Sequence, residues 1–187
     1  MKRNTMNNAQ SLKAYKRGRS LERSRWHRGN LTTDLAEKDD TNGGFSLLDA
    51  TLKPGNEPRP HIHSHEDELF YVLEGEFDVY VGEEGFKVGE GECVFLPRLK
   101  PHAFTIRSPQ LRVLALFAPG GLEEAFQKLD QPAERLELPE GMEAYSMADL
   151  TRSVEVLSQY GVRLLTPEEI AEQLPLYPQP VASNPVK

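Results

Sequence analysis

The hydrophobic pattern changes twice along the chain. From Phe45 the apolar positions come in short runs separated by glycine and proline: Phe45–Leu52, a short extended piece at Pro60–Ser64, Glu68–Glu74, Glu76–Val81, Phe86–Val88, Glu92–Leu96, Ala103–Ile106 and Leu111–Phe117. Within Glu76–Val81, Phe77, Val79 and Val81 fall on one face, the two-residue period of a half-buried strand. Gly82–Gly85 reads as a hairpin turn. Short strands at this spacing predict a sandwich or a small barrel. After Pro119-Gly120-Gly121 the period becomes helical, with Leu122, Ala125, Phe126 and Leu129 on one stripe. Asp149–Tyr160 and Pro167–Leu174 also read as helices. The second carries Thr166 and Glu169 as a capping box, with Pro167 at the first helical position. A proline-rich tail, Pro175–Lys187, is expected to lie extended. Residues 1–25 lack regular apolar spacing, and Ser11–Arg19 is their one helix candidate. No repeat is visible. The expected organisation is a basic arm (1–25), one all-β barrel (26–120) and a helical and extended segment (121–187) packing on it.

Charge sharpens this division. Nine Lys/Arg and one acid, Glu22, give residues 1–28 a charge of +8, so the rest carries −15 within a total of −7. An acidic body argues against nucleic acid as a partner. The arm reads as a mobile terminus, or as a strap folded back on the acidic body. No apolar stretch approaches the ~20 residues that span a bilayer, and no apolar run follows the basic start, so neither membrane insertion nor secretion is expected. Cys93 is the one cysteine, which precludes a disulfide within the chain and fits a cytoplasmic location.

The candidate chemistry lies in two blocks. The first runs from Gly55 through His61-Ile62-His63 and Glu68 to Gly75, the second from Gly91 through Pro97 to His102. Residues i and i+2 of a strand share a face, so His61 and His63 point the same way. Glu68 follows a tight corner and can swing in as an oxygen ligand, and His102 adds a third imidazole from a distant strand. Three imidazoles and a carboxylate suit a divalent iron, manganese, nickel, cobalt, copper or zinc ion and not calcium. Four protein ligands on an octahedral ion leave positions open for a small molecule.

These blocks resemble the two cupin motifs. Gly55, His61, His63, Glu68 and Gly75 match every position of the first, and Gly91, Pro97 and His102 match the second. Leu99 stands where the second motif has glycine, and Ile106 where it has asparagine. The resemblance implies a double-stranded β-helix, or jelly-roll, barrel with a metal on His61, His63, Glu68 and His102. Trp26-His-Arg-Gly-Asn-Leu31, Ala118–Phe126 and Pro132-Ala133-Glu134 narrow the likeness to single-domain bacterial cupins related to quercetin 2,3-dioxygenase. That likeness implies a metal-dependent dioxygenase acting on a small enolisable or phenolic aromatic compound with dioxygen, with Glu68 as general base. The alternative is a non-catalytic or isomerase-type cupin that binds a small metabolite. A homodimer would be in keeping with the family.

Several side chains have two readings. Phe70 and Phe104, two residues beyond Glu68 and His102, are either a substrate-facing wall or plain barrel core. His65 continues the two-residue period, but the corner before Glu68 breaks it, which places His65 behind the ligands or at the surface. Cys93 is expected in the core, in a buried strand. Trp26 is expected as a packing lid or as a platform for substrate.

Overall fold

The computed structural model describes residues 11–140 and 147–179. The first ten residues of the arm and the tail beyond Gln179 lie outside them. Twelve strands and three helices follow in order: β1 (Ser24–His27), β2 (Asn30–Ala36), β3 (Ser46–Leu52), β4 (His61–His63), β5 (Asp67–Glu74), β6 (Glu76–Val81), β7 (Glu84–Gly89), β8 (Cys93–Leu96), β9 (His102–Ile106), β10 (Leu111–Ala118), α1 (Glu123–Leu129), β11 (Gln131–Pro132), α2 (Met147–Gln159), β12 (Val162–Leu164) and α3 (Pro167–Gln173). One sheet has the order β11-β1-β2-β3-β10-β5-β8 and the other β12-β4-β9-β6-β7. Every pairing is antiparallel. The architecture is an all-β jelly-roll barrel with short helices after it.

Alternation sets the interior. Along β10, Leu111, Val113, Ala115 and Phe117 are buried while the residues between them are partly exposed. Along β5, Glu68, Phe70 and Val72 point inward. The same rule places Val94 and Leu96 of β8 inside and turns Cys93 and Phe95 to solvent. Cys93 is therefore an exposed thiol, not the core thiol expected from its apolar neighbours. The run is short enough that its phase, not its hydrophobicity, decides which side chains are covered.

The ends of the chain depart most from the sequence reading. No helix forms over Ser11–Arg19, and a 3-10 turn at Leu21–Arg23 leads into β1. The strand pair β1–β2 was not anticipated, because its polar composition (Ser-Arg-Trp-His, then Asn-Leu-Thr-Thr-Asp) hides the alternation. Arg17 forms a two-pronged ion pair with Asp40, and Arg19 donates to the Leu136 carbonyl at 3.2 Å. The C-terminal segment does more than pack on the barrel: β11 pairs with β1 and β12 pairs with β4, so it extends both sheets. The tail turns at its start, where the Tyr177 N–H donates to the Leu174 carbonyl and the Tyr177 ring meets Tyr80 edge-on at 5.5 Å. The capping box at Thr166 and Glu169 forms as its sequence predicts.

Candidate metal centre

The two sheets present their ligands to each other. His61 and His63 lie on one face of β4, with Ile62 turned outward to pack on the Tyr80–Ala103–Leu165–Leu174 cluster. His102, the first residue of β9, is the cross-strand neighbour of His61. Glu68 comes from β5 in the opposite sheet, held between Phe117 of β10 and Leu96 of β8. All four side chains are buried, and one ligand atom from each lies within 4.8 Å of the others. His61 Nε2 is 2.9 Å from His63 Nε2 and 3.1 Å from His102 Nε2. Glu68 Oε2 is 3.5 Å from His102 Nε2 and 3.9 Å from His63 Nε2.

The corner and loop that bring these strands together are clamped. Arg98 binds Asp67 through its backbone N–H (2.9 Å), Nε (3.1 Å) and terminal nitrogen (2.7 Å), tying the loop before His102 to the start of β5. The guanidinium holds the Asp67 carboxyl down at about 2. Leu99 takes the left-handed φ of 64° that the motif's glycine would adopt, and its N–H donates to the His63 carbonyl at 2.7 Å. The departure from the motif at Leu99 thus leaves the turn in place at the cost of a strained backbone.

Hydrogen bonding at the outer nitrogens decides what the inner ones can do. His61 Nδ1–H donates to the Arg59 carbonyl (2.7 Å) and His102 Nδ1–H to the Lys100 carbonyl (3.2 Å). In the neutral rings both Nε2 atoms therefore carry lone pairs, aimed at one another across 3.1 Å. Burial and the neighbouring imidazoles of His102 and His63 push the His61 pKa well below its usual value, so a proton is a poor filler for this space. A divalent cation fits it. Two nitrogens each about 2.1 Å from an ion subtend about 90° when they are about 3 Å apart, the cis arrangement of an octahedral site. The third outer nitrogen, His63 Nδ1, faces Glu66, which the sequence reading missed. Its Oε2 lies 3.5 Å from His63 Nδ1; both atoms are buried, and neither has a hydrogen-bond partner among the described residues. The available signal was the corner itself, since an acid three residues after His63 returns beneath the imidazole. His65 is exposed and outside the cluster.

A cavity of ≈ 140 Å³ opens beside the four ligand atoms, with His61, His63 and Glu68 on its wall. Phe70 and Phe104 line it, and both also meet Phe77 edge-on in the core, so the two readings of these residues describe one surface. A run of aromatic contacts forms another side: His63 stacks on Phe117 (6.1 Å), Phe117 meets Phe126 (6.1 Å), and Phe126 meets His27 (5.5 Å). His27 Nδ1 is in close contact with Asp130, whose side chain is fully buried. Trp26 is not on the cavity wall; its Nε1–H donates to the Glu137 carbonyl at 2.9 Å and Arg135 lies over its ring.

Similarity to known proteins agrees with this geometry. The family model for the Cupin domain matches residues 48–119. Quercetin 2,3-dioxygenase of Bacillus subtilis (strain 168) is 23% identical over 123 residues, which is 66% of this chain and 36% of that enzyme. The chain therefore spans little more than a third of that relative's length. An uncharacterized protein of Streptomyces coelicolor is 34% identical over 76 residues, 41% of this chain and 68% of the relative. Among solved structures, KdgF from Halomonas sp. is 21% identical with a TM-score of 0.47, covering 52% of this chain and 86% of that one. The matched stretch is the part of the barrel that carries all four clustered side chains, and the chain is accordingly a member of the cupin superfamily.

Proposed function

We propose that this cupin is a metal-dependent dioxygenase of the quercetin 2,3-dioxygenase-like type, acting on a small enolisable or phenolic aromatic compound with dioxygen as the oxidant. The carrying observation is the convergence of three imidazole nitrogens and the Glu68 carboxylate beside an apolar, aromatic-lined cavity that has His61, His63 and Glu68 on its wall. Its volume is that of a site for about one aromatic ring, since an apolar cavity of ~150 Å³ accommodates benzene. His61, His63, His102 and Glu68 would hold the ion, which supplies Lewis acidity toward the substrate's hydroxyl oxygen. Phe70, Phe104 and Phe117 pack against the ring and exclude water. Glu68 takes the hydroxyl proton on its carboxylate, as the acid among the described residues that stands at both the imidazoles and the cavity.

The test is Glu68→Gln, which keeps a coordinating oxygen and removes the proton acceptor. Oxygen uptake should fall ~100- to 10,000-fold while much of the metal is retained. Uptake that survives undiminished excludes Glu68 as the base. An isomerase-type cupin is the second reading, favoured by His27, a further imidazole on the cavity wall, in close contact with Asp130. Exchange of substrate C–H hydrogen with solvent deuterium, without oxygen uptake, would select it.

A further inference from the structure

We propose that the short strand β12 sets the size of the substrate: Val162 and Leu164 confine the site to a compound with one aromatic ring and exclude multi-ring flavonols. This rests on the reading of the cavity as an aromatic site, but the size limit concerns binding and does not depend on the reaction.

Register is the first argument. β12 is the edge strand beside β4, with Val162 opposite His63 and Leu164 opposite His61. Directly opposed residues of an antiparallel pair point to the same face of the sheet. These two side chains therefore stand beside the two imidazoles, and all four residues line the cavity. The pair between them points away. Ile62 packs on the Tyr80–Ala103–Leu165–Leu174 cluster, and Arg163 is exposed and paired with Glu169 at 2.8 Å. A ring seated at His61 and His63 thus meets Val162 and Leu164 on the β12 side.

Rigidity is the second. The Ser64 N–H donates to the Gly161 carbonyl at 2.9 Å, and the Leu165 N–H donates to the Pro60 carbonyl at 2.9 Å, so both ends of β12 are pinned to the flanks of β4. The Ser64 hydroxyl adds a bond to the same Gly161 carbonyl at 3.0 Å. Gly161 is left-handed (φ 81°), and a Cβ there would come within 2.5 Å of Ser64 Oγ, so only glycine allows this approach. Leu157 of α2 lies on the cavity wall and packs on the core together with Val156 and Tyr160. Held in this way, β12 is a fixed wall.

Volume is the third. The cavity of ≈ 140 Å³ is close to the ~150 Å³ that accommodates benzene. A second fused ring has to displace close-packed side chains, which is costly in a protein interior. The wall that limits it comes from beyond the stretch that matches the Cupin domain, which ends at residue 119. Phe126, Leu157, Val162 and Leu164 all belong to this later segment and all line the cavity. The matched barrel carries the imidazoles and Glu68 but not the wall that decides how large a molecule reaches them.

The test is calorimetric titration of the full chain as purified with phenol, 2-naphthol and 3-hydroxyflavone, with metal content measured on the same samples. 2-Naphthol should bind ~10-fold or more weakly than phenol despite its larger apolar surface, and 3-hydroxyflavone should not bind. Leu164→Ala should raise the ratio of 2-naphthol to phenol affinity by ~10-fold or more. Its metal content should hold, because backbone groups make the β4–β12 ladder. Leu164→Phe acts in the opposite direction and should weaken phenol by ~10-fold or more. Arg163→Ala, on the outward face of the same strand, should leave the affinity ratio as it is, which separates the wall from a general loosening of the strand. Wild-type binding of 2-naphthol or 3-hydroxyflavone as tight as that of phenol overturns the size limit. A ratio that ignores Leu164→Ala, or that shifts equally in Arg163→Ala, overturns the assignment to β12. Size selectivity without oxygen uptake supports the wall and removes the dioxygenase reading. No binding of phenol to the wild type at millimolar concentration overturns the aromatic reading and the proposal with it.

Discussion

Acidification of the metal-free protein tests the electrostatics of the imidazole cluster directly. His61 is buried, and burial, then His102, then His63, hold its pKa well below the usual 6.5. The unfolded chain, by contrast, binds a proton there near pH 6.5. Below that pH the unfolded state holds more protons than the folded one, so stability falls as pH falls; above it the contribution is fully present. For an imidazole that is still neutral in the folded state at pH 5, the linkage integral from pH 7 to pH 5 costs about 2 kcal/mol. For a chain of this length that corresponds to a drop of roughly 4–8 °C in melting temperature. The assay is thermal unfolding at both pH values after chelation, for the wild type and for His61→Gln, which keeps a polar group but does not titrate. The variant should lose this part of the pH dependence, and subtracting the two proteins removes the carboxylates common to both. Equal pH dependence in the two would refute the claim that His61 is held neutral by its surroundings.

Three further outcomes follow from particular residues. Leu99→Gly relieves a left-handed leucine that is also exposed, so stability should rise by about 0.5–1 kcal/mol in chemical denaturation, with the metal content unchanged. Cys93 should react with a thiol reagent in the native protein without prior unfolding, whereas a core position would require unfolding first. Arg17→Ala removes a partly exposed two-pronged pair with Asp40, and a loss of about 0.5–1 kcal/mol is expected in the same denaturation assay.

Much of the centre was legible in the sequence because strand geometry is periodic. His61 and His63 are two residues apart and share a face by necessity, and Gly55, Glu68, Gly75, Gly91, Pro97 and His102 stood at motif spacing. The strands from β3 to β10 were readable from alternation and Gly/Pro punctuation, since each buries one face against the other sheet. Other features were decided by tertiary structure. The polar strands β1 and β2 and the three-residue β12 owe their conformation to the edges they pair with, not to their own composition. Cys93 lies outside because the phase of a four-residue strand is set by its register with β5. His27, Phe70 and Phe126 line one cavity because the packing of β1, β5 and α1 closes distances along the chain that no local pattern encodes. Local periodicity chose which side chains face inward; the packing of two sheets chose which of them meet.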